Sequence, residues 1–245
     1  SYFAKKNKSK VIISGIGGDE LFFGYSSFSR IPKINNLLKF VPKNNLINNF
    51  FKSNIQNILK KHHLNTKYSG IFEYGRNLDT AFLLQRSLFL PHEIKEMLSP
   101  EIFKLGFDQL NVFENINSDV KGFEQKKLSI MYLEIKYYLC SKILRDSDWT
   151  SMSHSIEMRM PFVDWFFFQK LIPLLKSNIN IGKKNLLDCV KNKIPNELYN
   201  RKKTGFGIPH KSYFEKLSNS KTEYSHPIKD WSIFSYKKFL SNEKK

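Results

Sequence analysis

With 245 residues, the chain is long enough for one large domain or two ordinary ones, since single cores stop growing near about 250 to 300 residues. Hydrophobic residues make up 41% and aromatics 15%, with 22 Phe, which excludes a disordered or low-complexity chain. Lys and Arg number 40 against 22 Asp and Glu, giving +18 and a pI near 9.7. That balance attracts polyanions without choosing among nucleic acid, an acidic membrane face and a phosphorylated substrate. Lys, Glu or Arg interrupts every apolar stretch before the ~20 residues a bilayer span needs, so no membrane partner is expected. The first apolar run, Val11 to Ile13, is too short for the core of a secretory signal. Cys140 and Cys189 sit inside apolar runs (MYLEIKYYLCSKIL and NLLDCVKNK), which predicts buried free thiols in a reducing, cytoplasmic compartment. Ser1 and the opening SYFAKKNKSK read as text that starts partway through a longer protein.

In chain order, Val11-Ile12-Ile13 is a short β-branched run bounded by Lys residues and by Ser14-Gly15, the pattern of a buried parallel strand. It is the one strand the pattern supports. Helical spacing then takes over, with apolar residues at i, i+3, i+4 and i+7 around 44–61, 69–89 and 120–143. The clearest face is Leu128, Met131, Tyr132, Ile135, Tyr138 and Leu139. Prolines punctuate these segments. Pro32 and Pro42 flank a short helix, Pro91 starts another, and Ser99-Pro100 reads as an N-cap followed by Pro at the first helical position. Further breaks are expected at Pro161, Pro173, Pro195 and Pro209. Residues 106–122, GFDQLNVFENINSDVKG, read as a surface connection. No internal repeat or domain-separating linker is visible. Lys is scattered, and no nucleic-acid-binding motif accompanies it, so no specific nucleic-acid partner is expected.

The densest chemical signal is Ser14-Gly15-Ile16-Gly17-Gly18-Asp19-Glu20, a glycine-rich turn between a strand and a helix. Such a turn offers free backbone N–H groups to a phosphate, while Asp19 and Glu20 also suit a first helical turn for dipole reasons alone. The string SGIGGDELFFGY resembles the SGxGxDExFxGY motif of the asparagine synthetase family, glutamine-dependent enzymes that use ATP to convert a carboxylate into an amide. A second stretch, from Ile143 through Asp148, Ser151, His154, Glu157 and Arg159 to Pro161-Phe-Val-Asp164, resembles the family's LLxxxDRxSMAHSLExRxPFLD. A third runs from Leu186-Leu187 through Ile194-Pro195 to Arg201-Lys-Lys203-Thr-Gly205-Phe206-Gly207-Ile-Pro209 and is similar to LLRxA…LPxxIxxRxKxGFGxP.

The resemblance implies an α/β, predominantly helical fold, an adenine-nucleotide α-hydrolase-like (Rossmann-like) synthetase domain lacking its N-terminal strands. Residues 1–245 would be the C-terminal portion of that domain, with a glutaminase domain and the SGGxDSS pyrophosphate loop expected upstream. The implied cofactors are ATP and Mg2+, and the implied partners a small carboxylate, aspartate by default, and glutamine-derived ammonia. A homodimer is an open expectation. By position, Ser14, Gly15 and Gly17 line the ATP site, and Asp19 shares Mg2+ with an aspartate of the upstream loop. Lys203 stabilises the charge that develops as the acyl-adenylate forms. Ile16, Glu20, Asp148 and Arg159 are candidates for the substrate cleft.

Two positions depart from the family pattern. Ile16 stands where Glu is usual, and isoleucine can neither move a proton nor pair with an ammonium; Trp149 stands where Arg is frequent. Ile16 keeps open a related amidotransferase of surface-polysaccharide or natural-product synthesis, or an inactive scaffold. The segment 148–164 could form part of the cleft or a hydrogen-bonded buried corner, with Glu157 and Asp164 read as structural. His154 shows no orienting partner in the sequence, and His62-His63 read as solvated surface.

Overall fold

The computed structural model describes residues 1–41, 54–59, 61–62, 65–201, 210–218 and 227–242. Helix dominates. In chain order, α1 (Tyr2–Lys6) precedes β1 (Val11–Ile13), α2 (Gly18–Leu21) and α3 (Ser27–Leu38). After a 3-10 turn over Thr66–Gly70 come α4 (Ile71–Tyr74), α5 (Leu78–Arg86), α6 (Pro91–Met97), α7 (Pro100–Leu110) and α8 (Val112–Val120). Helix α9 (Lys126–Leu133) continues as a π-helix over Glu134–Leu144 and returns to α-helical winding in α10 (Arg145–Met152). Strand β2 (Glu157–Arg159), α11 (Trp165–Ser177), α12 (Lys183–Cys189), α13 (Asn196–Tyr199), α14 (His210–Ser218) and α15 (Pro227–Asn242) complete the order.

The chain divides into two compact units, each built from two stretches: residues 1–32 with 113–201, and 33–112 with 202–245. This arrangement needs no linear linker. In the first unit, β1 and β2 pair in parallel, Val11 with Glu157, Ile12 with Met158 and Ile13 with Arg159. Its core gathers Leu21, Phe22, Phe28, Ile31, Leu128, Ile130, Leu133, Leu139, Ile156 and Leu175. The expected strand at 11–13 is present, but it is half-covered at best: Ile13 is 77% exposed. The second unit packs Tyr74, Ala81, Phe82, Leu84 and Leu90. Glu93 ties its elements together, accepting from the Leu90 N–H at 2.9 Å, from the Thr66 hydroxyl at 3.2 Å and from the buried Lys229 ammonium. Buried Lys67 donates to the carbonyls of Gln85 (3.0 Å) and Ser87 (3.1 Å). At Gly75 a Cβ would lie within 2.6 Å of Ile71 O, Leu38 and Ile34, so only glycine permits that approach.

Several expectations are corrected. Residues 106–122 are mostly helical, ending α7 and forming α8, because Asn111 adopts the left-handed conformation and turns one helix into the next. Pro32 and Pro173 lie inside α3 and α11 instead of ending them. The 69–89 pattern is split at residues 75–77. Cys140 and Cys189 are exposed, since the helix faces that carry them are not the faces that pack. Pro91 and Ser99-Pro100 do start helices, Ser99 Oγ accepting from the Ile102 N–H at 3.4 Å. Pro42 and residues 44–53 lie outside the described residues, as do His63 and Pro209.

Candidate functional site

The parallel pairing of β1 with β2 brings the first two sequence motifs together. The Ser14 N–H donates to the Arg159 carbonyl at 2.9 Å, extending the ladder by one residue. The loop 14–18 and the turn 160–164 therefore leave the sheet side by side at the carboxyl ends of their strands, the edge where parallel sheets place ligands. Gly17 has φ +95°, and a Cβ there would stand 3.0 Å from Val163 Cγ2 and 3.2 Å from Phe162 Cβ. A Cβ at Gly18 would touch the Phe162 ring at 3.4 Å. The loop thus rests on Phe162, which also meets Phe22 edge-on at 5.9 Å between ring centres. Its other side is open: a Cβ at Gly15 would meet nothing within 4 Å. Short local bonds shape it, Ile16 N–H to Ser14 Oγ at 3.4 Å and Gly18 N–H to Gly15 O at 3.2 Å. Helix α2 is only four residues long, so little macrodipole stands behind the loop.

The two acidic residues diverge. Glu20 is 1% exposed, and its Oε1 accepts from the Tyr25 hydroxyl at 2.7 Å, which places it beneath the loop as a brace. Burial, then the bond to Glu20, pushes the Tyr25 hydroxyl far above the ordinary tyrosine range. Asp19 stays at the surface, its Oδ1 3.0 Å from Lys183 Nζ. The carboxylate folds back over a tight turn in which the Gly24 N–H donates to the Asp19 carbonyl at 2.7 Å. A Cβ on Gly24 would fall 2.0 Å from Asp19 Oδ1, so this carboxylate position requires glycine at 24. Lys183 is anchored through its own backbone, its N–H donating to Phe22 O at 3.0 Å, while Asn185 Oδ1 accepts from the Gly182 N–H at 2.9 Å.

The remaining candidates fall in different places. Arg159 closes β2 beside Ser14 and pairs with Glu157 at 2.8 Å, with both side chains exposed. The buried corner expected for Glu157 is therefore a surface ion pair, set outward by strand alternation. Asp164 caps α11, its Oδ1 accepting from the Phe167 N–H at 2.8 Å. Asp148 is exposed on α10, and its carbonyl accepts from the hydroxyl of buried Ser151 at 3.1 Å. His154 has neighbours after all, Ser153 Oγ at 2.9 Å and the Tyr2 ring. Trp149 is exposed with the Arg145 guanidinium over its ring at 4.9 Å. Lys203 and the GFGIP that follows lie outside the described residues. Lys183 and Phe162 escaped the sequence reading: one is the first of two adjacent lysines, the other an ordinary aromatic until the strands pair.

Residues 1–237 match the Asparagine synthase family model, nearly the full chain. The chain belongs to the asparagine synthase family. Among curated proteins it is similar to asparagine synthetase [glutamine-hydrolyzing] 1 of Bacillus subtilis (strain 168), 24% identical over 233 residues, covering 89% of this chain and 34% of that protein. The chain thus spans about a third of the length of that curated relative. No solved structure matches it. As an asparagine synthase family member it is, among its described residues, mostly helical with a small parallel sheet. No helix among those residues is long and apolar enough to cross a membrane.

Proposed function

We propose that this chain is the C-terminal portion of the synthetase domain of an ATP-dependent, amide-forming ligase, with an adenine-nucleotide α-hydrolase-like fold completed by residues not in the chain. In this reading the ligase adenylates a carboxylate, aspartate by default, and transfers to it ammonia released from glutamine by an attached glutaminase domain. The observation that carries the reading is the convergence of SGIGGDE and MPFVD at the carboxyl ends of two paired parallel strands, with one face of the loop open at Gly15. ATP with Mg2+ supplies the adenylyl group and a good leaving group.

Asp19 fits a metal that arrives with phosphates. Among the described residues no group of three or more His, Cys, Asp and Glu could hold a metal ion. A single surface carboxylate suits Mg2+, which keeps several waters and takes the rest of its ligands from phosphate oxygens. Ser14 and Gly15 offer backbone groups to the nucleotide. By its place in the family motif, Lys203 is assigned the positive charge that offsets the departing pyrophosphate, since a charge aimed at the transition state lowers the barrier in a water-poor site. Holding carboxylate and nucleotide in register supplies a further large share of the acceleration.

The test is pyrophosphate release by the full-length protein over a panel of carboxylates with glutamine or ammonia. Lys203→Ala is expected to abolish release while circular dichroism stays unchanged, and wild-type release would remove the role given to Lys203. Ile16 favours a second reading, a related amidotransferase acting on another carboxylate. Release with an acid other than aspartate, and none with aspartate, would select it.

A further inference from the structure

The ion pair between Lys183 and Asp19 joins residues 164 positions apart. Its acceptor is the carboxylate proposed to hold Mg2+, and the role of Lys183 rests on that reading. An ammonium 3.0 Å from Asp19 Oδ1 already pairs with the oxygen that a divalent cation would need. A divalent cation at this carboxylate would have to displace the ammonium. The pair is also weakly held: the lysine side chain is 47% exposed and the carboxylate 26%, and such pairs contribute little in water. Lys183 itself is not free to drift away. Its backbone N–H is fixed to the Phe22 carbonyl, inside the turn after Asp19, so only the flexible four-carbon stem can move.

We propose that Lys183 is a placeholder cation: it holds the Asp19 carboxylate in the unliganded protein, yields it to a divalent ion, and then stands beside the incoming phosphates as a second positive contact. The lysine thereby orients Asp19 before binding and offsets phosphate charge after it. It is a positioning residue in the first state and a ligand contact in the second.

The full-length protein and its Lys183→Met, Lys183→Arg and Asp19→Asn variants are titrated with Mn2+ alone, monitored by electron paramagnetic resonance, and separately with ATP in excess Mg2+. Removing the competing charge in Lys183→Met should tighten Mn2+ binding about twofold to fivefold, the range an exposed ion pair supports, and weaken ATP binding by a similar factor. Lys183→Arg should restore both toward wild type. A merely structural lysine would not move the two affinities in opposite directions. If Asp19→Asn loses Mn2+ while Lys183→Met leaves both affinities unchanged, the metal reading of Asp19 stands and the placeholder proposal falls. If Asp19→Asn binds Mn2+ as wild type does, the metal reading falls, and the proposal with it.

Discussion

Tyr25 and Glu20 show how much of the motif is architecture. The string DELFFGY reads at first as a row of chemical candidates, yet Glu20 is buried with the Tyr25 hydroxyl on its Oε1. Tyr25→Phe removes a donor and leaves a desolvated carboxylate oxygen, a change that costs about 1 to 3 kcal/mol. Urea denaturation should show a lower midpoint, and Glu20→Gln added to Tyr25→Phe should recover part of the loss; an unchanged midpoint would refute the brace. The loop that carries Asp19 was legible because its residues spell a family motif. Lys183 was not, because nothing local marks one lysine of an adjacent pair, and only the fold discloses which of them meets the loop. Asp164 was legible as a structural residue, here a helix cap, whereas Glu157 lies in an exposed ion pair and not in the buried corner expected of it. A surface ion pair and a helix cap look alike in one dimension until strand and helix boundaries are known.

Among elements, the strand at 11–13 and most of the helical pattern around 120–143 were readable from periodicity, whereas β2 was not. Glu-Met-Arg has no β-branched residue, and it becomes a strand because Val11–Ile13 offers it an edge. The π-helical winding of Glu134–Leu144 was equally hidden, since a change from four to five residues per hydrogen-bonded step leaves no mark in composition. It carries Glu134, fully buried, whose Oε1 accepts from the Ser27 hydroxyl. Prolines misled in the opposite direction. Pro173 lies within α11, between buried Leu171 and Leu175, and survives because packing of that face outweighs one missing hydrogen bond. Pro173→Ala should therefore stabilise the protein by about 1 to 3 kcal/mol, read as a higher thermal midpoint. A lower midpoint would show that the bend itself seats the two leucines.

For the molecule as a whole, the charge excess sets pH behaviour through particular buried groups. Burial, together with the nearby Lys229 charge, pushes Lys67 down to about 8 from 10.5, against the pull of Glu93. Between those values the unfolded chain holds a proton that the folded chain has released, so stability rises with pH across the interval. Above about pH 10 the sign reverses. Tyr25 and Tyr74 are raised by burial above 10.0, and the unfolded chain sheds protons that the folded one keeps. Denaturant midpoints should climb from pH 8 toward 10 and then decline, and Lys67→Met should flatten the climb; a steady fall from pH 8 would contradict the assignment. Ser14 bonds to Arg159, Gly17 rests on Phe162, and Asp19 meets Lys183, so the contacts that seat the loop span most of the sequence. Such high contact order slows folding, and on the ribosome the motif near the start emerges long before the segments that support it. A nascent chain halted before residue 157 would carry the intact string SGIGGDELFFGY with no parallel strand beside it, and the loop would take its shape only when the second strand and α12 had been made.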